Sequence, residues 1–293
     1  MTKLKAPVNT LKAPLKKPKA SATTDLEKAI ARHRATVRGA HRVRNAGQLV
    51  ELIDALGFAF AFTLRTGDAA IPACFDHLST NDVGRKWGWM WGWKDELAEE
   101  KKLYYGMLLS RKPTFVSLKL LPVFYATFGR AGEPDDHVAD VRAGRLSDIA
   151  RRIIEFLAQN GETQTKRMRA ELGITSKEGR ATYGKAIDEV QRLMYVARVR
   201  AVGEGREDYN YTYDVFVRRY PDAVKAAERL SSADATAALV SRTLELAGAV
   251  TSKQLVRLFD WDDAVAARAI DRAEGLRKLV RVNGSLVLPE LTR

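Results

Sequence analysis

The chain has 293 residues, is 46% hydrophobic, carries a net charge of +13 and contains a single cysteine, Cys74. That length provides for about two domains with real cores, and one cysteine excludes an internal disulfide framework and any cysteine-based zinc site. The most apolar run, residues 56–64, is far shorter than the roughly 18 residues a membrane span requires, and His33, His41, His77 and His137 show no metal-ligand spacing.

The charge is concentrated at the start. Seven lysines and five arginines against Asp25 and Glu27 place +10 in the first 45 residues. Residues 1–24 are expected to form a disordered basic tail, because Pro7, Pro14 and Pro18 interrupt any helix and few large apolar groups are present. Lysine and alanine punctuated by proline suit sequence-independent contact with phosphates, led by Lys16, Lys17 and Lys19. The composition also fits a merely solubilising leader.

Residues 25–145 read as a mostly helical N-terminal domain with a tryptophan-rich segment and a linker. A basic helix over 26–45 carries Arg32, Arg34, Arg38, Arg42 and Arg44, suited either to a duplex backbone or to the solvated face of a bundle. A short helix over 48–56 leads into Phe58, Phe60 and Phe62, which alternate as a strand does. Trp87, Trp89, Trp91 and Trp93 then fall within seven residues, flanked by Arg85, Lys86 and Lys94. Cations beside aromatic rings have the composition of a base-stacking surface, while tryptophan's size equally suits an interdomain core. A charged helix is expected over 95–109, an apolar one up to Phe128, and a glycine- and acid-rich linker over 129–144. Its cluster Asp135-Asp136-His137 is expected to be solvated.

Residues 146–220 read as a first winged helix. Ser147 or Asp148 caps a helix with Ile149, Ile153, Phe156 and Leu157 on one face, ended by Asn160-Gly161. A second helix over 166–172 offers Lys166 and Arg167. A long third helix from Thr175 or Ser176 to about Leu193 turns Tyr183, Ile187, Val190 and Met194 inward. Its outward residues Lys177, Arg180, Thr182 and Lys185 suit a DNA groove. Asp188 and Glu189 confine contact to the first two turns. The strands 195–202 and 209–216 enclose a charged tip bearing Arg206.

Residues 231–293 read as a second winged helix. Asn283-Gly284 is the strongest hairpin signal in the chain, and Trp261 is expected as a core anchor. Arg268 and Arg272 are its candidate contacts, although Asp262 and Asp263 disfavour phosphate and favour packing against the first copy. The fold class is therefore mainly α with small β wings: tandem winged-helix (helix-turn-helix) domains behind a helical N-terminal domain.

Trp91-Gly92-Trp93-Lys94-Asp95-Glu96-Leu97, Tyr104-Tyr105-Gly106, Lys112-Pro113-Thr114-Phe115 and Leu120-Leu121-Pro122 together resemble the AlkZ-related proteins of bacteria. These look like relatives of the AlkZ/YcaQ crosslink-repair DNA glycosylases, which are built from tandem winged helices. The resemblance covers about residues 47–288. It implies DNA binding and, in the glycosylases, a catalytic glutamine–aliphatic–glutamine (or aspartate) motif near the N-terminus. This chain departs from that pattern. Its glutamines are Gln48, Gln159, Gln164, Gln191 and Gln254, and no two are separated by one residue.

No P-loop or dinucleotide-binding glycine pattern is present. The sequence thus points to a duplex DNA-binding protein of modest sequence preference, in repair or genome protection, with no catalytic residue assigned and no cofactor or metal expected. Double-stranded DNA is the expected partner and the cytoplasm, at the nucleoid, the expected location; the oligomeric state stays open. A glycosylase for alkylated or crosslinked bases, a winged-helix transcriptional regulator and an interaction scaffold remain the alternatives.

Overall fold

The computed structural model describes residues 20–63, 71–130, 132–133, 135–203 and 209–293, with side chains from Asp25 onward. The leader lysines Lys16, Lys17 and Lys19 and the wing-tip Arg206 lie outside the described residues. The first helix, α1 (Ala20–Gly39), starts inside the segment read as the tail.

One plan is laid down three times. The first unit consists of α2 (Ala46–Leu56), β1 (Phe58–Phe60), α3 (Cys74–His77), α4 (Val83–Glu99), β2 (Tyr104–Met107) and β3 (Pro113–Val116). After α5 (Leu121–Ala126) and α6 (Asp136–Arg142), the second unit repeats it with α7 (Asp148–Asn160), β4 (Thr163–Gln164), α8 (Thr165–Glu171), α9 (Lys177–Arg192), β5 (Val196–Val202) and β6 (Asn210–Val215). The short helices α10 (Phe216–Arg219) and α11 (Pro221–Ala227) lead to the third unit. It comprises α12 (Ser232–Ala247), β7 (Ala249–Val250), α13 (Ser252–Phe259), α14 (Asp263–Gly275), β8 (Val280–Val282) and β9 (Ser285–Val287). In each antiparallel sheet the last strand lies between the other two: β1-β3-β2, β4-β6-β5 and β7-β9-β8.

The same local chemistry marks each repeat. The first helices are capped by Asn45, Ser147 and Ser231, whose side chains accept from the amides of Gln48, Ala150 and Asp234. They stop at Gly57, Gly161 and Gly248, all at positive φ, where a side chain would be strained. The third helices are capped by Asp82, Ser176 and Asp262. Lys101, Met194 and Arg277, two residues past the ends of those helices, take left-handed φ of 53°, 54° and 58° and turn the chain toward the next strand.

Two sequence expectations change here. The helix expected over 95–109 ends at Glu99, because Tyr104 and Tyr105 are buried more effectively in a strand opposite Val116 and Phe115. The N-terminal region therefore contains its own three-stranded sheet among the helices. The segment read as a linker contains α6, and its His137 is buried with Nε2 3.5 Å from Glu155 Oε1. Nor is Asp136 simply solvated. Its carboxylate accepts from the Gly132 amide at 2.8 Å, and the nearby Asp140 accepts from the Tyr195 hydroxyl at 2.7 Å.

The second and third units have cores of their own, but that of the first runs into both neighbours. Phe216 stacks on Tyr125 at 5.1 Å and lies against Tyr104 and Tyr220. Phe58 meets Phe124 edge-on at 5.6 Å and Phe259 of the third unit at 6.2 Å.

Arginines bind across these joints to helix C-termini, where carbonyls lack intrahelical partners. Arg242 holds the carbonyls of Ala55 and Leu56 at the end of α2. Arg219 donates to Ala98 O at 2.7 Å and Glu99 O at 2.8 Å at the end of α4. Arg34, read as a possible backbone contact, instead donates to Ala247 O at 2.7 Å and Ala249 O at 3.0 Å, fastening α1 to the third unit. Arg219→Ala should destabilise the protein by about 2–3 kcal/mol, because two charge-assisted bonds are lost and two carbonyls are left unpaired. Urea unfolding measures this, and Arg219→Lys should recover less than half of the loss because an ammonium lacks the planar fork.

Candidate nucleic-acid interface

The amphipathic pattern of α9 places Tyr183, Ala186, Ile187 and Val190 in the core of the second unit. Lys177, Arg180, Thr182 and Lys185 are all exposed. Lys177 and Lys185 project from the middle of the outer face. Arg180 lies at its edge, with Nη1 3.3 Å from Thr175 O, and the Thr182 hydroxyl donates to Glu178 O at 3.1 Å. Lys166 and Arg167 are exposed on the preceding helix, α8. Glu189, expected to repel a backbone, accepts from the Ser147 amide and hydroxyl, each at 2.8 Å. Its charge is thereby directed at the N-terminus of α7, where the helix dipole favours it.

The third unit offers less. Arg268 is exposed, but Arg272 donates to Asp234 through Nε at 3.0 Å and Nη2 at 2.7 Å, tying α14 to α12. Arg272, a candidate contact, is thus engaged in an exposed intramolecular ion pair. Trp261 stacks on Phe259 at 4.5 Å in the core.

The four tryptophans lie on α4, the third helix of the first unit, and helical spacing divides them. Trp89 and Trp93 face inward and stack on each other at 5.3 Å. Trp87 and Trp91, four residues apart on the outer side, are 48% and 49% exposed. Trp87 is supported from below by Phe62 and Phe75, each at 5.0 Å. The exposed Gly84, Gly88 and Gly92 continue this side of the helix, and a Cβ at Gly88 or Gly92 would meet nothing within 4 Å. Glycine inside a helix costs about 1 kcal/mol against alanine. The rings thus stand beside bare backbone on an otherwise well-supported helix.

Sequence reading missed the group directly beneath Trp91. The Lys94 side chain is 1% exposed, and its Nζ donates to Asp95 Oδ2 at 2.6 Å, to Tyr211 OH at 3.3 Å and to the Tyr209 hydroxyl. Tyr209 in turn donates to Asp95. The Trp91 ring centre is 4.1 Å from Nζ, and the Tyr209 and Tyr105 rings are 4.9 Å and 5.8 Å away. Arg198, also buried, lies 3.6 Å from the Tyr211 ring. Helix α4 of the first unit and the β5–β6 hairpin of the second thus meet around a caged ammonium. Burial pushes the lysine down to about 8, against the opposing pull of Asp95. Burial and the hydrogen bond to Asp95 raise Tyr209 well above an ordinary phenol. The only sequence signal was a lysine–aspartate pair next to tryptophan. Tyr209 and Tyr211 come from more than a hundred residues away.

Four glutamines serve local structure. Gln48 Oε1 accepts from the Arg44 amide at 2.8 Å, Gln254 Oε1 accepts from the Thr251 amide at 2.8 Å, and Gln164 accepts from Asn210. The fully buried Gln191 donates to Ile187 O at 3.1 Å. Gln159 is exposed at the end of α7.

The profile of the AlkZ-related family matches residues 43–260, from just before α2 to the end of α13. The chain belongs to the AlkZ-related family. Among solved structures it is similar to Streptomyces sahachiroi DNA glycosylase AlkZ, with a TM-score of 0.53 and 13% identity over 90% of this chain and 70% of that one. At such identity the likeness is one of fold. No curated protein gives a significant match. The matched residues span the first two units and reach into the third.

Lys94 makes stability depend on pH in a defined direction. Its folded pKa of about 8 lies below the ordinary 10.5, so the unfolded chain binds more protons between those values and stability rises with pH there. From pH 8 to 9.5 this lysine by itself should add about 1–2 kcal/mol to the unfolding free energy. Urea titrations across that range should show the natural protein gaining that amount relative to Lys94→Met, in which the buried Cys74 thiol and buried tyrosines, raised in the fold, make stability fall as pH rises.

Proposed function

We propose that this AlkZ-related protein binds duplex DNA with modest sequence preference in repair or genome protection, acting in the cytoplasm on the nucleoid. The observation that carries the reading is the outer face of α9. Lys177, Arg180 and Lys185 are presented to solvent from a third helix in winged-helix order, the helix that enters the major groove in such modules. Lys166 and Arg167 add cations on the preceding helix. Arg34, Arg219, Arg242 and Arg272 are committed to carbonyl or carboxylate partners within the protein. Few base-reading groups accompany the lysines, so phosphate contact dominates and discrimination between sequences is small.

Trp87 and Trp91 supply a second, aromatic contact. Their half-exposed faces suit bases that are unpaired or displaced at a lesion, where stacking is worth roughly 1–3 kcal/mol per base. The likeness of fold to AlkZ favours a second reading, glycosylase activity on alkylated or crosslinked bases. Against it stand the lack of two glutamines one residue apart and the local hydrogen bonds made by Gln48, Gln164, Gln191 and Gln254.

Purified protein incubated with undamaged, alkylated and crosslinked duplexes, scored for retention and for abasic sites, separates the two readings. Retention without base release is expected, and base release would establish the glycosylase instead. With about six phosphate contacts the slope of log affinity against log salt should be near −5, and Lys177→Ala/Lys185→Ala should reduce it by about 2 while weakening all duplexes alike. A slope near zero would defeat electrostatic capture. Trp87→Ala should selectively weaken duplexes containing an unpaired base, by about 5- to 150-fold if one ring stacks on it.

A further inference from the structure

We propose that Lys94 is a nucleophile toward aldehydes, and that its substrate class is the ring-opened sugar of an abasic site in DNA, with Asp95 as the accompanying base. The inference rests on the DNA-binding reading above and adds a reaction to it.

The geometry brings together what imine formation and proton removal require. The Lys94 amine is almost wholly buried, and that desolvation penalises its charged form against the opposing pull of Asp95 and the surrounding rings, a usual means of activating a lysine as a nucleophile. Two of the groups that cover it face solvent. Trp91 is half-exposed and Tyr209 partly so, and a ligand entering beside Trp91 would have to displace Tyr209 to reach the covered nitrogen. Asp95 uses Oδ2 for Lys94 and Tyr209, while its buried Oδ1 has no partner. A buried carboxylate oxygen without a donor is costly for structure alone, but it is suited to accepting a proton. Trp87, one turn earlier on the same side of α4, provides a ring for a base next to the damaged position.

In the proposed chemistry the neutral amine adds to the C1′ aldehyde. The carbonyl π bond becomes a hydroxyl that takes up a proton, and loss of water leaves a protonated imine. Asp95 then removes a C2′ proton. The C–H pair forms the C2′=C3′ bond, and the C3′–O bond breaks with departure of the 3′ phosphate. Water hydrolyses the imine, releases an unsaturated aldehyde and restores the amine. No oxidant or reductant is consumed.

The test is reductive trapping with borohydride on a duplex oligonucleotide that carries one abasic site, with retention of the same duplex measured in parallel. A covalent adduct whose peptide maps to Lys94 is expected, with a yield that rises between pH 7 and 9 as the amine loses its proton. Lys94→Arg, confirmed as folded by circular dichroism, should lower that adduct at least about ten-fold, because a guanidinium stays protonated. Retention of the abasic duplex without an adduct would overturn the inference and leave DNA binding intact. So would an adduct on leader lysines alone, mapped in the natural protein. Failure to retain any duplex at low salt would overturn the DNA-binding reading, and the role of Lys94 with it.

Discussion

The apolar core of the first unit is finished by residues from the other two. Phe216, at the end of the β6 strand, enters from the second unit to stack on Tyr125, and Phe259 reaches Phe58 from the third. Leu239, Leu246 and Leu258 belong to the same buried cluster. Aromatic side chains contribute large apolar areas and fixed contact geometries, so the three repeats are docked rather than strung. The arginines at the ends of α2, α4 and α12 follow from this docking, since a helix end brought against a neighbour requires a donor for its carbonyls.

The docking also redistributes charge. The chain is strongly basic in sequence, but many of its arginines act as internal donors, and Arg272 is held in an ion pair. What remains outward on α8 and α9 is a compact lysine- and arginine-bearing face. Glu189 is engaged with Ser147, while Glu178 lies in the first turn of α9 beside these cations. Local presentation of cations, more than net charge, is therefore the electrostatic feature that matters for binding.

The contact between α4 and the second unit's hairpin is polar where most joints are apolar. Its centre is a lysine surrounded by Asp95, Tyr209, Tyr211 and the Trp91 ring. Burying an ammonium costs stability even when it is well paired, and here the site adjoins exposed tryptophans. Replacing such a cluster with apolar residues is often stabilising. The cluster places a buried, paired charge at the joint between the first and second units.

The sequence by itself determined the elements whose signals are local. Ser147 and Ser176 are caps, Gly161 is a stop, and the inward stripe of Tyr183, Ile187 and Val190 marks α9 because a helix reads its neighbours three and four residues away. The outward residues of α9 and the family resemblance were legible for the same reason. The first unit was harder to read: its tryptophans and glycines obscure the periodicity of α4, and Tyr104–Met107 continues a charged helical stretch without a proline break. Only the tertiary structure decided that Trp87 and Trp91 face out while Trp89 and Trp93 face in, that Arg34 and Arg272 are occupied, and that Lys94 meets Tyr209 and Tyr211. Those outcomes depend on which surfaces the three units press together, and no short-range pattern in the chain encodes a partner more than a hundred residues away.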